Sequence, residues 1–185
     1  MVFGLTAAWS LGVKRPPQVR FLTTTGAGTW QVESDWNNSN NSVETIGAGG
    51  GGAAATNASK AGGPGGGGEY RKQTNISLTP GNSVTIQIGT GGTNGSTSGQ
   101  NGGAGGDTWF NGANLAASSV GSKGGQGGVS STSAPGLGGG QTGNTGGVGA
   151  TSNPGGTVAP TPEVTERQVP AALVAHWGLA ALVAL

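Results

Sequence analysis

Side chains able to do catalytic or metal chemistry are scarce in this sequence. There is one His, His176, and no Cys, so thiol nucleophiles, disulfides and thiolate metal sites are excluded. The seven carboxylates are scattered, and the closest pair within the part that reads as β structure is Glu33 and Asp35. On a strand these two would share a face, but acid–base work needs an environment that drives two pKa values apart. Nothing next to them in the chain does so. They read as a solvated face, and no enzyme activity is expected.

Two glycine-rich patterns invite a ligand. The stretch GGAGGDTWF, Gly102 to Phe110, fits the calcium-binding nonapeptide at its fixed positions. It occurs once, and calcium in such repeats is held between successive turns, so no metal is expected. Asp107 and Thr108 read instead as the end of a glycine tract, with Trp109 and Phe110 opening a short strand turned at Asn111-Gly112. Matches to G-x-G-x-x-G are numerous but follow from glycine abundance, none sits between a strand and a helix, and no GK[ST] occurs. No cofactor is expected. The sequons at Asn37, Asn40, Asn57, Asn75 and Asn94 reflect abundant Asn, Ser and Thr. Trp30 and Tyr70 are expected to serve core packing, given how few large side chains the chain has.

What could position any of these residues is an unusual chain. Of 185 residues 42 are Gly and only 8% are charged, against about 7% Gly and about 25% charged residues in ordinary soluble proteins. The net charge of +1 is spread along the sequence, so neither a nucleic acid nor an anionic membrane is an expected partner. The opening VFGLTAAWSLGV is shorter than the ~20 residues that span a bilayer, and Lys14 and Arg15 follow it instead of preceding it as in a secretory leader.

Four regions follow from the changes in composition. Residues 1–18 form an N-terminal apolar segment. Residues 19–89 read as a small β region interrupted by glycine tracts. There the short strands are VRFLT, TWQV and SVETIGA, and then a hairpin runs from Glu69 to Gly89. In that hairpin EYRKQTNISL and SVTIQIG alternate with strand period around a Pro80-Gly81 type II turn, and Ile76, Leu78, Val84, Ile86 and Ile88 face one apolar layer. Residues 90–158 are glycine-rich. Residues 159–185 are an atypical Ala/Val/Leu-rich tail, read either as a frameshifted end or as a helix docking on a partner.

The glycine tracts are incompatible with helix, since each interior Gly costs about 1 kcal/mol relative to Ala. They lack the strict G-X-Y repeat of collagen. Two states remain: disorder, as for most Gly/Ser tracts, or extended three-per-turn helices packed side by side, whose missing Cβ atoms let neighbouring backbones hydrogen-bond in place of a hydrophobic core. The expected fold class is mainly β and irregular, a small antiparallel β region plus a polyglycine or polyproline II-like region, with no substantial helix before residue 163.

In order, the segments FLTTTGAGTWQVESDWNNSNNSVETIGAGGGG, GGPGGGGEYRKQTNISLTPGNSVTIQIGTGG and GGAGGDTWFNGANLAASSVGSKGGQGG resemble the glycine-rich domain of phage tail-fibre and related virion proteins. The resemblance spans roughly Phe21 to Gly156. It implies a virion structural or adhesin role on the outside of the particle, with other tail-fibre subunits and a bacterial surface protein or polysaccharide as partners, and homo-oligomerisation as a further possibility. The sequence departs from that family in lacking an N-terminal fibre-attachment domain of obvious size. A purely structural glycine-rich virion protein or an extracellular matrix or cell-wall protein stays as the alternative, although the plain tandem repeat usual in a matrix protein is missing. An ice-binding bundle of extended helices is a second alternative, although its Thr are irregularly spaced.

If glycine shafts hold the shape, chemical identity falls to the breaks between them. The longest glycine-poor polar breaks are Thr93 to Asn101 and Val129 to Pro135. Their Thr93, Asn94, Ser96, Thr97, Ser98, Gln100, Asn101, Ser130, Ser131, Thr132 and Ser133 are the expected receptor contacts, and the two segments are expected to meet at one exposed end.

Overall fold

The computed structural model describes residues 18–157, apart from Ser59 and Ser133. The N-terminal segment up to residue 17, the tail from residue 158 and His176 lie outside the described residues. Among the described residues there is no α-helix. Seven short strands form two antiparallel sheets, β1 (Gly26–Gln31), β4 (Ser83–Ile88), β5 (Thr108–Phe110) and β6 (Val120–Ser122) in that order, and β2 (Ser42–Ile46), β3 (Tyr70–Thr74) and β7 (Thr151–Asn153).

Between the sheets lies a small core of Val32, Ile76, Val84, Phe110 and Val120, against which Trp30, Trp36, Val43, Leu78 and Ile86 pack. Trp30 is its aromatic hub, with ring centroids 5.6 Å from Trp36 and 5.7 Å from Phe110. Tilted and edge-on pairs at this separation add to what their buried area alone contributes.

The expected Glu69–Gly89 hairpin does not form. Its two arms belong to different sheets: β3 pairs with β2 and β7, while β4 pairs with β1 and β5. The Pro80-Gly81 turn is present, with Gly81 at φ 82° and the Asn82 amide donating to the Thr79 carbonyl at 3.2 Å. The chain is diverted earlier, at Asn75, which takes φ 55°. The polar cluster DWNNSNN then captures the segment that follows. Asn41 accepts from the Ile76 amide through Oδ1 at 2.9 Å and donates to the Ile76 carbonyl through Nδ2 at 3.0 Å. Trp36 Nε1 donates to the same carbonyl at 3.1 Å, and Asn38 Oδ1 accepts from the Leu78 amide at 2.9 Å. Side chains thus replace a neighbouring strand, and Ile76 and Leu78 reach the shared apolar layer with Val84 and Ile86 from another direction. Ile88 stays outside the core cluster.

Asn41→Ala is therefore expected to cost about 1–3 kcal/mol, the scale for leaving a buried backbone group without its partner. Urea denaturation checks this, and Asn40→Ala is the neighbouring control.

Three further expectations are corrected. VRFLT is not a strand: β1 starts only at Gly26, and Val19, Phe21 and Leu22 are exposed. Among the described residues no neighbouring strand supplies backbone hydrogen bonds to that stretch. Glu33 and Asp35 are not on a strand but in the turn after β1, closed by the Trp36 amide on the Glu33 carbonyl at 3.1 Å. Asn111 has the left-handed φ of 56° expected at a turn, yet the β5–β6 connection runs from residue 111 to 119 and is not a two-residue hairpin.

The glycine tracts are ordered. Seven extended segments leave or enter the sheets: s1 (47–55), s2 (62–68), s3 (89–95), s4 (102–106), s5 (124–129), s6 (134–139) and s7 (154–156). In s1 the amides of Gly47, Gly50 and Ala53 donate to the carbonyls of Glu69, Gly66 and Gly63 in and beside s2. The amides of Ala48, Gly51 and Ala54 donate to Gly106, Gly103 and Gln100 along s4. The carbonyls of Gly49 and Gly52 accept from Gly92 and Gly95 of s3, and those of Ala48 and Gly51 accept from Gly125 and Gly128 of s5. Each neighbour is met at every third residue, the signature of a helix with three residues per turn. The same bonding joins the segments into two layers, s3–s1–s2–s7 and s4–s5–s6.

Strand pairs run into this lattice without a break in register. Ile46 faces Tyr70 in the β2–β3 pair, and Gly47 with Glu69, Gly50 with Gly66 and Ala53 with Gly63 continue it. Ile86 faces Phe110 in the β4–β5 pair, continued by Thr90 with Gly106 and Thr93 with Gly103. Each is one long hairpin whose arms change from strand to polyglycine helix where the side chains give out.

Candidate functional site

Because s1, s3 and s5 lead away from the sheets and s2, s4 and s6 lead back, their connections gather at one end. This distal tip consists of three loops within residues 55–61, 96–100 and 130–133, of which Ser59 and Ser133 are not described. At about 3.1 Å per residue of such a helix, s1 holds it roughly 25 Å from the sheets.

The structure brings the two predicted segments together. The Ser130 amide donates to Asn101 Oδ1 at 2.9 Å, and Ser130 Oγ donates to the Gly99 carbonyl at 2.6 Å. Thr93, Asn94, Ser96, Thr97, Ser98, Gln100, Asn101, Ser131 and Thr132 are exposed. Ser130 is not: at 2% exposure it is buried, because its hydroxyl and amide clamp one loop onto the other, and this corrects its expected role as a contact. Ser133 lies outside the described residues.

Several of the exposed residues also hold the tip in shape. Gln100 Oε1 accepts from the amides of Ser96 and Thr97 at 2.8 and 3.3 Å and sits 3.1 Å from Ser96 Oγ, folding its own loop. Asn94 Oδ1 caps the shaft by accepting from the Gly52 amide at 2.9 Å. Thr132 Oγ1 accepts from the Ala134 amide at 3.3 Å. The Gln100 and Thr132 bonds to amides are local side-chain-to-backbone bonds of the kind that fix turns, while the Asn94 bond joins s3 to s1.

Sequence reasoning missed the third loop, residues 55–61, with Thr56, Asn57 and Lys60. Thr56 Oγ1 donates to the Ser130 carbonyl at 2.9 Å and Ser98 Oγ donates to the Thr56 carbonyl at 2.6 Å, so this loop ties the other two together. The signal was present: residues 53–61 are a glycine-free break as long as Thr93 to Asn101. It falls inside residues 19–89, which read as a β region and not as glycine shaft with breaks.

The charges near the sheets are structural. Asp107, the acidic residue of the nonapeptide pattern, accepts from Lys123 Nζ at 3.0 Å and from the Gly124 amide at 2.9 Å, so both its oxygens are used in joining s4 to s5. Across β2 and β3, Lys72 Nζ lies 2.9 Å from Glu44; its hydrogen bond holds the Glu44 carboxyl below the usual carboxylate range, and Glu44 in turn raises the lysine. Burial, then the hydrogen bond to Glu44, pushes the Tyr70 phenol up. Glu69 is fully buried, bonded to Arg71 Nε at 2.6 Å and accepting from the Lys123 amide at 3.0 Å and from Ser152 Oγ at 3.2 Å. At the end opposite the tip, a shallow open groove is lined by Trp30, Val32, Glu33, Ser34, Pro80 and Gly81. There Trp30 already packs on Trp36 and Phe110.

The arrangement can present hydroxyls, amides and one lysine on a rigid support. Among the described residues the tip has no paired carboxylates and no nucleophile–base pair. A search of curated proteins finds no match to this chain. Residues 23–172 match the model of a family described as a glycine-rich domain, and the chain belongs to that family.

Proposed function

We propose that the chain is a bacteriophage virion structural protein, a distal tail-fibre component whose tip loops contribute to recognition of the host surface. The observation that carries this reading is the gathering of three polar loops at one end of a backbone-bonded shaft, with the sheets at the other. Surface recognition needs contact residues that can vary while their support stays rigid. A lattice held by main-chain bonds meets that need, since its stability does not depend on the identity of the loop side chains. The sheet end, with the exposed Val19, Phe21 and Leu22 leading into β1, is then the side facing the rest of the fibre.

The test is adsorption by particles carrying altered tips. Residues 96, 97 and 131 are exchanged for Gly, keeping Ser98, Gln100, Asn101, Ser130 and Thr132 so that the loops stay closed. Assembled particles that lose at least tenfold in adsorption rate support the adhesive role. Unchanged adsorption assigns the chain a purely structural role in the virion.

A further inference from the structure

The described part of the chain carries ten ionisable acids and bases of the Asp, Glu, Lys and Arg type. Eight of them are committed to one another in four pairs: Arg20–Glu33, Arg71–Glu69, Lys72–Glu44 and Lys123–Asp107. The two left over are Lys60 and Asp35, and they lie at opposite ends of the molecule. Lys60 is in tip loop 55–61, while Asp35 is in the turn after β1 at the far side of the sheets. The tip therefore holds a cation that no carboxylate of the described chain neutralises, and none of its three loops contains an Asp or Glu.

Lys60 is exposed, and its backbone is fixed by a bridge to Asn57, with the Lys60 amide on the Asn57 carbonyl at 3.2 Å. The loop that carries it is joined to the other two through hydroxyls, Thr56 bonded to the Ser130 carbonyl and Ser98 to the Thr56 carbonyl, and the Ser96–Gln100 loop adds further hydroxyl and amide groups to the same tip. Neutral donors and acceptors of this kind suit the hydroxyls of a sugar. A single ammonium added to them favours a sugar that also carries negative charge, through a charge-assisted bond to phosphate or carboxylate.

We infer that the tip binds an anionic saccharide, a phosphorylated or uronate-bearing glycan, with Lys60 engaging the charged group and the exposed hydroxyls of Thr56, Thr97 and Ser131 engaging the sugar. This rests on the adhesive reading of the tip and narrows its ligand class. A phosphate and a carboxylate offer the same oxygen acceptors to an ammonium, so the probes must separate them.

The experiment measures binding of the full chain to immobilised phosphomannan, to polygalacturonate and to neutral mannan. Either charged polymer is expected to bind at least tenfold more tightly than neutral mannan, and which of the two does so identifies the charged group. Lys60→Gln is expected to remove most of that preference, roughly tenfold being the scale of one charge-assisted contact, about 1.4 kcal/mol. Lys60→Arg is expected to retain it. Thermal unfolding should be the same for all three chains, since no ion pair is lost. Equal binding of charged and neutral polymers, a preference untouched by Lys60→Gln, or no binding to any of the three overturns the inference. None of these outcomes affects the loop-exchange test of adsorption, which judges the adhesive role separately.

Discussion

Replacing Gly50 by Ala is expected to destabilise the protein by at least about 3 kcal/mol, while the same replacement at Gly91 leaves it unchanged or more stable. A Cβ at Gly50 would overlap the Gln126 carbonyl of s5, whereas one at Gly91 meets nothing within 4 Å. The obstacle at Gly50 is backbone, which cannot rotate aside as a side chain can. Relief requires s1 and s5 to separate, and that strains or breaks the Gly125–Ala48 and Gly128–Gly51 hydrogen bonds beside the overlap, each worth about 1 kcal/mol net. At Gly91 the substitution only restricts the unfolded chain, which typically adds about 0.4–1 kcal/mol. Thermal and urea unfolding of the two variants decide the matter. Equal stabilities would mean that the shaft is not held by close backbone approach.

The second large effect belongs to Glu69. Glu69→Ala removes a fully buried carboxylate that receives Arg71, the Lys123 amide and Ser152, and leaves all three donors facing a void. Breaking a buried pair costs about 3–5 kcal/mol, and the low end applies here because Arg71 keeps 19% exposure while the buried Lys123 amide loses its acceptor. The cost should fall when the cation goes too. Glu69→Gln combined with Arg71→Gln is therefore expected to be more stable than Glu69→Ala by 1 kcal/mol or more, on the order expected when a pair is replaced as a unit. The loop over the pair has no room for alternatives: a Cβ on Gly147 would overlap Glu69 Oε2, and one on Gly140 would come within 3 Å of the same carboxylate. Urea midpoints of the single and double variants check both statements.

How far these features could be read in advance depends on whether their causes were local. Strand period in 70–74 and 83–88 and the Pro80-Gly81 turn were legible, because alternation and turn chemistry are local properties. The partner of each strand was not. β3 has Arg71 and Gln73 on one side and Tyr70, Lys72 and Thr74 on the other, and Tyr70, expected in the core, stays outside the core cluster, so the strand gains little from the apolar layer that β4 enters. The choice was made by Asn41, more than thirty residues upstream, bonding to Ile76.

The shaft shows the same division. No repeat runs through the whole chain, yet single segments carry one. In s4 and the residues flanking it, Asn101, Ala104 and Asp107 stand every third residue between glycine pairs, and Lys123, Gln126 and Val129 do the same around s5. In such a helix every third residue shares a face, and these are the positions turned away from the lattice. The period was visible over six or seven residues at a time, too short to stand out against a background so rich in glycine. At the tip, the adjacency of 93–101 and 129–135 followed from treating both as breaks between shafts. The burial of Ser130 could not follow, because it depends on which hydroxyl lands beside the Gly99 carbonyl.

The unbroken register from strand into shaft has a consequence for how such a molecule changes size. A helix with three residues per turn returns to the same orientation only after a full turn, about 9.3 Å of length. An insertion of three residues in each arm of a hairpin lifts its loop by one such step and keeps every outward residue outward. An insertion of one or two residues turns the remainder of the arm by a third or two-thirds of a revolution and drives Gln126 or Asp107 into the space that only glycine fills. Length variation among relatives of this chain should therefore be quantised in triplets within the shafts and free of that rule in the loops, as with a telescoping mast that locks only at fixed notches.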